Sequence, residues 1–130
     1  MTNSNEILKP IYLAEMSFDD GDFELHNSQL STNFSFKSPF GNFDNVPDYM
    51  NWLKSFYEVV LAQGGTRHLI TNAVVTPISA DKVHVRSYLL ILNRKSMQTI
   101  GTSVIEDTLA LEDKKWKCSF REIFTDQNFQ

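Results

Sequence analysis

The chain has 130 residues, 42% of them hydrophobic and 22% charged, which suits a single globular domain over residues 1–130 and excludes a disordered chain. Its formal net charge of −4 argues against a nucleic-acid partner, because neutralising phosphates requires clustered Lys and Arg.

The first segment carries Ile7, Leu8, Ile11, Tyr12 and Glu15-Met16 at helical spacing, and it is expected to end near Phe18. Pro10 then falls in a first turn, where the missing N–H is tolerated. Asp19-Asp20-Gly21-Asp22 reads as a turn that also caps a short helix from Phe23 to Leu30. Ser31-Thr32-Asn33 breaks that pattern, and Phe34-Ser35-Phe36-Lys37 alternates as a strand with both aromatics on one face.

The stretch from Ser38 to Val46, with Pro, Gly and Asn around Phe40 and Phe43, is expected to be a loop that packs down. Pro47 opens the next helix in the position it prefers. Tyr49, Met50, Trp52, Leu53, Phe56, Tyr57, Val60 and Leu61 give that helix a wide apolar stripe, and Gly64-Gly65 ends it. Four β-rich runs follow: Thr66 to Thr76, Lys82 to Leu92, roughly Gln98 to Leu111, and Lys115 to Phe124. Helices followed by hairpin-linked strands predict an α+β fold with helices on one face of a curved antiparallel sheet.

Ten Phe residues are many for this length, and they supply bulky apolar walls with no hydrogen-bonding obligation. Cys118 is the lone cysteine, so no intramolecular disulfide forms. In step with Trp116 and Phe120, it reads as a buried apolar residue. The stretch from Met1 to Glu6 shows no secretory signal, and the longest apolar run, Tyr88 to Leu92, is too short to cross a bilayer. No membrane partner is expected, and the cytoplasm is the expected compartment. No ligand spacing joins His26, His68 and His84, and no Gly-rich phosphate loop follows a strand, so neither metal nor cofactor is expected.

The string Gly65-Thr66-Arg67-His68-Leu69-Ile70-Thr71-Asn72 resembles the strand entry of SnoaL-like domains, a branch of the nuclear-transport-factor-type superfamily. It also resembles the small (β) subunits of ring-hydroxylating dioxygenases. Other segments follow in the family's order: Phe18-Asp19-Asp20-Gly21-Asp22-Phe23, Val85-Arg86-Ser87-Tyr88-Leu89, Gly101, Asp107-Thr108-Leu109, Lys115-Trp116-Lys117 and Arg121. The resemblance implies a cone-shaped α+β barrel in which a strongly curved mixed or antiparallel sheet wraps the N-terminal helices and encloses a pocket. It also implies a homodimer formed across the sheet's outer surface.

By that resemblance, Asp19 matches the catalytic Asp of the superfamily's dehydratases and His68 their strand histidine. A carboxylate and an imidazole facing each other in an apolar cavity can act as paired acid and base, as elimination of water or a double-bond shift beside a carbonyl requires. The competing reading makes Asp19 a cap and His68 a core histidine bonded to backbone. The chain departs from the dehydratases in three places. Gly101-Thr102-Ser103 stands where some place a second histidine, Ala14 where others place a Tyr, and an apolar residue near Ile91 where those others place an Asp.

Tyr12, two helical turns before Asp19, is a candidate donor to a substrate oxygen. Asn72 is expected on the strand face of His68. Asp107 and Arg121 are expected to pair across the last hairpin, as a structural salt bridge or as the binder of an anionic substrate group. Trp52, Phe36 and Phe56 are candidate walls, and Arg67 and Arg86 read as surface or dimer residues.

The function expected is a small-molecule-binding protein with a cofactor-independent dehydratase, isomerase or cyclase activity on an apolar polyketide- or steroid-like ligand. The alternatives are a binder without turnover and a structural subunit resembling the dioxygenase small subunit.

Overall fold

A computed structural model describes residues 4–126. Helix α1 (Ser4–Asp20) buries Ile7, Ile11, Ala14 and Phe18, spaced three and four apart, on one face. It begins earlier than the apolar periodicity predicts, so Pro10 lies past the first turn and the helix forgoes one backbone hydrogen bond there.

The end of α1 is closed by Gly21 in the left-handed region, φ +70. Gly21 N–H donates to Phe18 O at 3.0 Å and Asp22 N–H to Ser17 O at 2.8 Å. Helix α2 (Phe23–Ser28) is capped by the Asp22 side chain, which accepts from Leu25 N–H. It stops short of the predicted Leu30, which already belongs to a strand. Helix α3 (Val46–Ala62) starts as predicted, with Asn45 accepting from Asp48 N–H at 2.9 Å and Pro47 in the first turn.

The strands are β1 (Leu30–Ser38), β2 (Gly41–Phe43), β3 (Thr66–Ser79), β4 (Lys82–Asn93), β5 (Thr99–Glu112) and β6 (Lys115–Thr125). Among the described residues they form one sheet in the order β2-β1-β6-β5-β4-β3. Neighbours run antiparallel except β1 and β6, which are parallel, so the α+β fold has a mixed sheet. It curls around the helices and is not closed into a barrel: β2 and β3 remain its edges. Two local expectations change. Residues 31–33 lie within β1, across a register shift between Leu30 and Ser35, and the predicted loop before α3 contains β2, paired through Phe36 and Phe43.

Two bulges decide which side chains face inward. In β3 the register shifts between Thr71 and Val74, where Asn72 has φ 56. The inward set changes there from His68 and Ile70 to Ala73 and Val75. In β6, Leu109 pairs with Cys118 and Thr108 with Phe120, which leaves Ser119 as the extra residue. Cys118 and Trp116 are therefore core residues, whereas Phe120 falls out of step with them and Arg121 turns inward instead.

Two apolar clusters result. Ile7, Ile11, Val83, Val85, Leu109 and Trp116 seat the start of α1 on the sheet. Phe18, Leu30, Phe34, Phe36, Tyr49, Met50, Leu53 and Cys118 join the end of α1 to α3 and β1. The second cluster borders a cavity.

Candidate functional site

Between the end of α1, α3 and the inner face of the sheet lies a cavity of about 370 Å³, within the range of small-molecule sites. Phe36, Trp52 and Phe56 form one wall. The Trp52 and Phe56 rings stack at 5.1 Å and 13°, and Phe36 lies 5.5 Å from Trp52. Leu89, Ile91, Ile100 and Ile123 of the sheet add apolar surface.

Polar groups are concentrated at the junction of α1 with β3 and β6. Asp19 sits in the last turn of α1, and β3 is an edge strand, paired only with β4. The carboxylate caps that edge: His68 N–H donates to Oδ2 at 2.9 Å and the Thr66 hydroxyl to Oδ1 at 2.8 Å. His68 Nδ1 also meets Oδ1, at 2.6 Å, so the side chains of Asp19 and His68 are in direct contact. With the ionised carboxylate as acceptor, Nδ1 carries the proton. Nε2 is then the remaining polar atom of a ring that lines the cavity, and Phe18 packs against the imidazole at a T-shaped angle, ring centres 5.5 Å apart.

Glu15, one turn before Asp19, brings a second carboxylate to the same place. Its Oε2 lies 3.9 Å from His68 Nε2, and its Oε1 accepts from Arg121 Nη1. Arg121 in turn donates from Nε and Nη2 to Asp107 at 2.7 and 3.2 Å. The five side chains thus form a buried chain of alternating charge, Asp19, His68, Glu15, Arg121, Asp107, drawn from one helix and three strands.

Burial opposes the charged form of His68. The Glu15 charge, with the hydrogen bond and charge of Asp19, outweighs it and raises the pKa above its ordinary 6.5. Arg121 is also disfavoured by burial, but Asp107 and Glu15 hold it charged well above its usual range. Burial pushes the Asp107 carboxyl upward against the pull of Arg121. With both bases charged, the chain has one more negative group than positive.

A second polar pair stands deeper in the cavity. His26 Nδ1 donates to Ala14 O at 2.8 Å, and the Tyr49 hydroxyl donates to Nε2 at 2.9 Å. Burial lowers the His26 pKa to about 4, so the ring is neutral, and burial raises that of Tyr49 far above its usual value.

Several expectations require correction. Tyr12 is 41% exposed and does not line the cavity: seven residues from Asp19, it shares that residue's flank of α1, but two turns lower and facing solvent. Asn72 is exposed at the β3 bulge, where the change of register removes it from the face of His68. Asp107 and Arg121 do pair across β5 and β6, but Asp107 lies behind Arg121, and only Arg121 reaches the cavity wall. Asp19 likewise stands behind His68, outside the cavity lining. Arg67 and Arg86 point outward, and Arg86 meets Glu106 at 3.3 Å.

Glu15 and His26 also line the cavity, beyond the candidates that the sequence points to. For Glu15 a signal existed: it lies four residues after Ile11 and three before Phe18, a charge within the buried stripe of α1. His26 carries no such signal, because its burial depends on α3 covering α2.

The SnoaL-like domain family model matches residues 2–122, and the chain belongs to that family. No curated protein matches it in sequence. Among solved structures it is similar to a Nostoc punctiforme protein of unknown function with a cystatin-like fold, 22% identical, covering 97% of this chain and 92% of that one with a TM-score of 0.82. A candidate scytalone dehydratase from Novosphingobium aromaticivorans is 18% identical over 95% and 84%, with a TM-score of 0.77. ActVI-ORFA from Streptomyces coelicolor is 16% identical over 95% and 97%, also with a TM-score of 0.77. At these identities the likeness concerns the fold.

Proposed function

We propose that this SnoaL-like protein binds a small, largely apolar organic molecule, polyketide- or steroid-like in size, and acts on it by cofactor-independent acid–base chemistry: dehydration, isomerisation or cyclisation. His68 is the acid–base group and Asp19 its positioning residue. The observation that carries this is the 2.6 Å contact of His68 Nδ1 with Asp19. It fixes the ring and leaves Nε2 as the one atom of the pair that can exchange a proton with a ligand in the cavity. Asp19, already accepting from Thr66 and twice from His68, orients the imidazole and favours its cation. The candidate scytalone dehydratase among the structural neighbours supports the reaction class by analogy of fold.

The test is turnover of an aryl β-hydroxyketone to its conjugated enone, followed by absorbance. Wild-type protein is expected to accelerate the elimination, and His68→Gln to lose roughly a hundredfold or more of that acceleration. Binding of such compounds by the wild type with no elimination, isomerisation or cyclisation in a broader panel would favour the reading without turnover.

The outer surface of the sheet supports a second, compatible proposal. Leu69, Val74, Tyr88 and Phe124 are exposed there, and Tyr88, Val104 and Phe124 stand side by side across β4, β5 and β6. An apolar row of this kind is suited to burial against a second copy of the chain, a homodimer. Light scattering on the purified chain separates a dimer from a monomer, and Tyr88→Lys is expected to shift a dimer toward monomer.

A further inference from the structure

We infer that the ligand presents a neutral hydroxyl, seated between His68 Nε2 and Glu15 Oε2, and that the cavity rejects carboxylates. The inference takes from the proposed function only that the cavity holds a small organic ligand.

The separation of these two atoms is 3.9 Å, too long for a hydrogen bond and long enough to admit one oxygen at roughly 2.8 Å from each. Each group has its other polar atom engaged. His68 Nδ1 is held by Asp19, and Glu15 Oε1 by Arg121. What remains is one N–H donor and one carboxylate acceptor, side by side in an otherwise largely apolar cavity, with only 11% and 10% of their side chains exposed.

A hydroxyl oxygen satisfies both, accepting from Nε2–H and donating its own proton to Oε2. An ether or ketone oxygen accepts from His68 but leaves Glu15 with nothing to receive. A carboxylate adds charge directly against Glu15, in a chain already one negative charge in excess, and Arg121 offers little relief because Asp107 and Glu15 engage it from both sides. The polar end of the cavity is therefore a site for an alcohol borne on an apolar ring system, with Phe36, Trp52 and Phe56 as the surface for the ring.

The experiment is titration calorimetry of the full chain with three matched probes: naphthylmethanol, ethylnaphthalene and naphthoate. The alcohol is expected to bind at least about tenfold more tightly than either, because ethylnaphthalene leaves two buried polar groups unpaired and naphthoate meets like charge. Glu15→Gln is expected to raise naphthoate affinity and weaken that of the alcohol, a change in order that a merely structural role for Glu15 does not produce. Naphthoate or ethylnaphthalene binding the wild type as tightly as the alcohol overturns the inference. So does an order left unchanged by Glu15→Gln in a protein that unfolds like the wild type. Binding of none of the three overturns both this inference and the ligand-cavity reading, whereas the expected order without turnover leaves the hydroxyl site standing and removes only the catalytic reading.

Discussion

Asp19 holds His68 twice, through the ring at 2.6 Å from Nδ1 and through the backbone at 2.9 Å from N–H. One carboxylate thereby fixes both the rotamer of the imidazole and the edge strand that bears it. The carboxylate is fixed in turn, because Arg94 Nη1 reaches the Asp19 carbonyl at 3.3 Å and ties the end of α1 to the turn after β4.

His68 is expected to titrate above 6.5 in the folded protein, read from its ring resonances by NMR. Glu15→Gln and Asp19→Asn each remove a charge that favours the imidazolium, so each should lower that pKa. Because the folded pKa is raised, His68 contributes stability that is fully present below 6.5 and lost as pH rises through the folded value. An unchanged titration in Asp19→Asn would contradict the contact.

His26 works in the opposite sense. Its folded pKa of about 4 lies below its ordinary 6.5, so the stability it contributes is present above 6.5 and lost as pH falls toward 4. The loss over that interval is on the order of 3 kcal/mol, taking 1.36 kcal/mol per pKa unit. Urea denaturation across the interval should show it, and His26→Asn should flatten the acid limb at the cost of a lower plateau. An acid limb equally steep in His26→Asn would assign the effect to other groups.

Asp107→Ala is expected to destabilise the protein by about 3–5 kcal/mol, since it strips Arg121 of two buried charge-assisted bonds and leaves the guanidinium with Glu15 alone. Asp107→Asn, which keeps the shape and one acceptor, should cost less. Equilibrium denaturation of both variants checks the order, and equal effects would show that the charge, which both variants lose, carries the whole contribution and that the retained shape and acceptor carry none.

Gly21→Ala should cost about 1–2 kcal/mol for the left-handed conformation alone. A further penalty is expected from contact, because a Cβ there would stand 2.7 Å from Tyr57 Oη. Thermal unfolding measures it, and a neutral effect would mean that α1 can end without this turn.

Much of the fold could be read in the chain because its signals are local. The apolar stripe of α3 between Pro47 and Gly64, and the four β-rich runs after it, correspond closely to the elements observed. Single-residue events were harder to read. Asn72 and Ser119 each interrupt a strand by one residue, and each reverses which side chains face inward, removing Asn72 from the site and bringing Arg121 to it. Nothing in a period-two pattern marks such a residue until the neighbouring strand fixes the register.

The sequence by itself determined the element order, the apolar faces and the α+β class, because backbone propensity and side-chain period act over a few residues at a time. It also carried the local pattern around Asp19 and His68 by which the family is recognised. Only the tertiary structure decided which charges share one cavity. Glu15 and Arg121 are 106 residues apart, and Asp19 and His68 are 49. Their meeting depends on how α1 rotates against the curled sheet, where two apolar clusters set the helix's position and the charged side chains must pair wherever that packing leaves them.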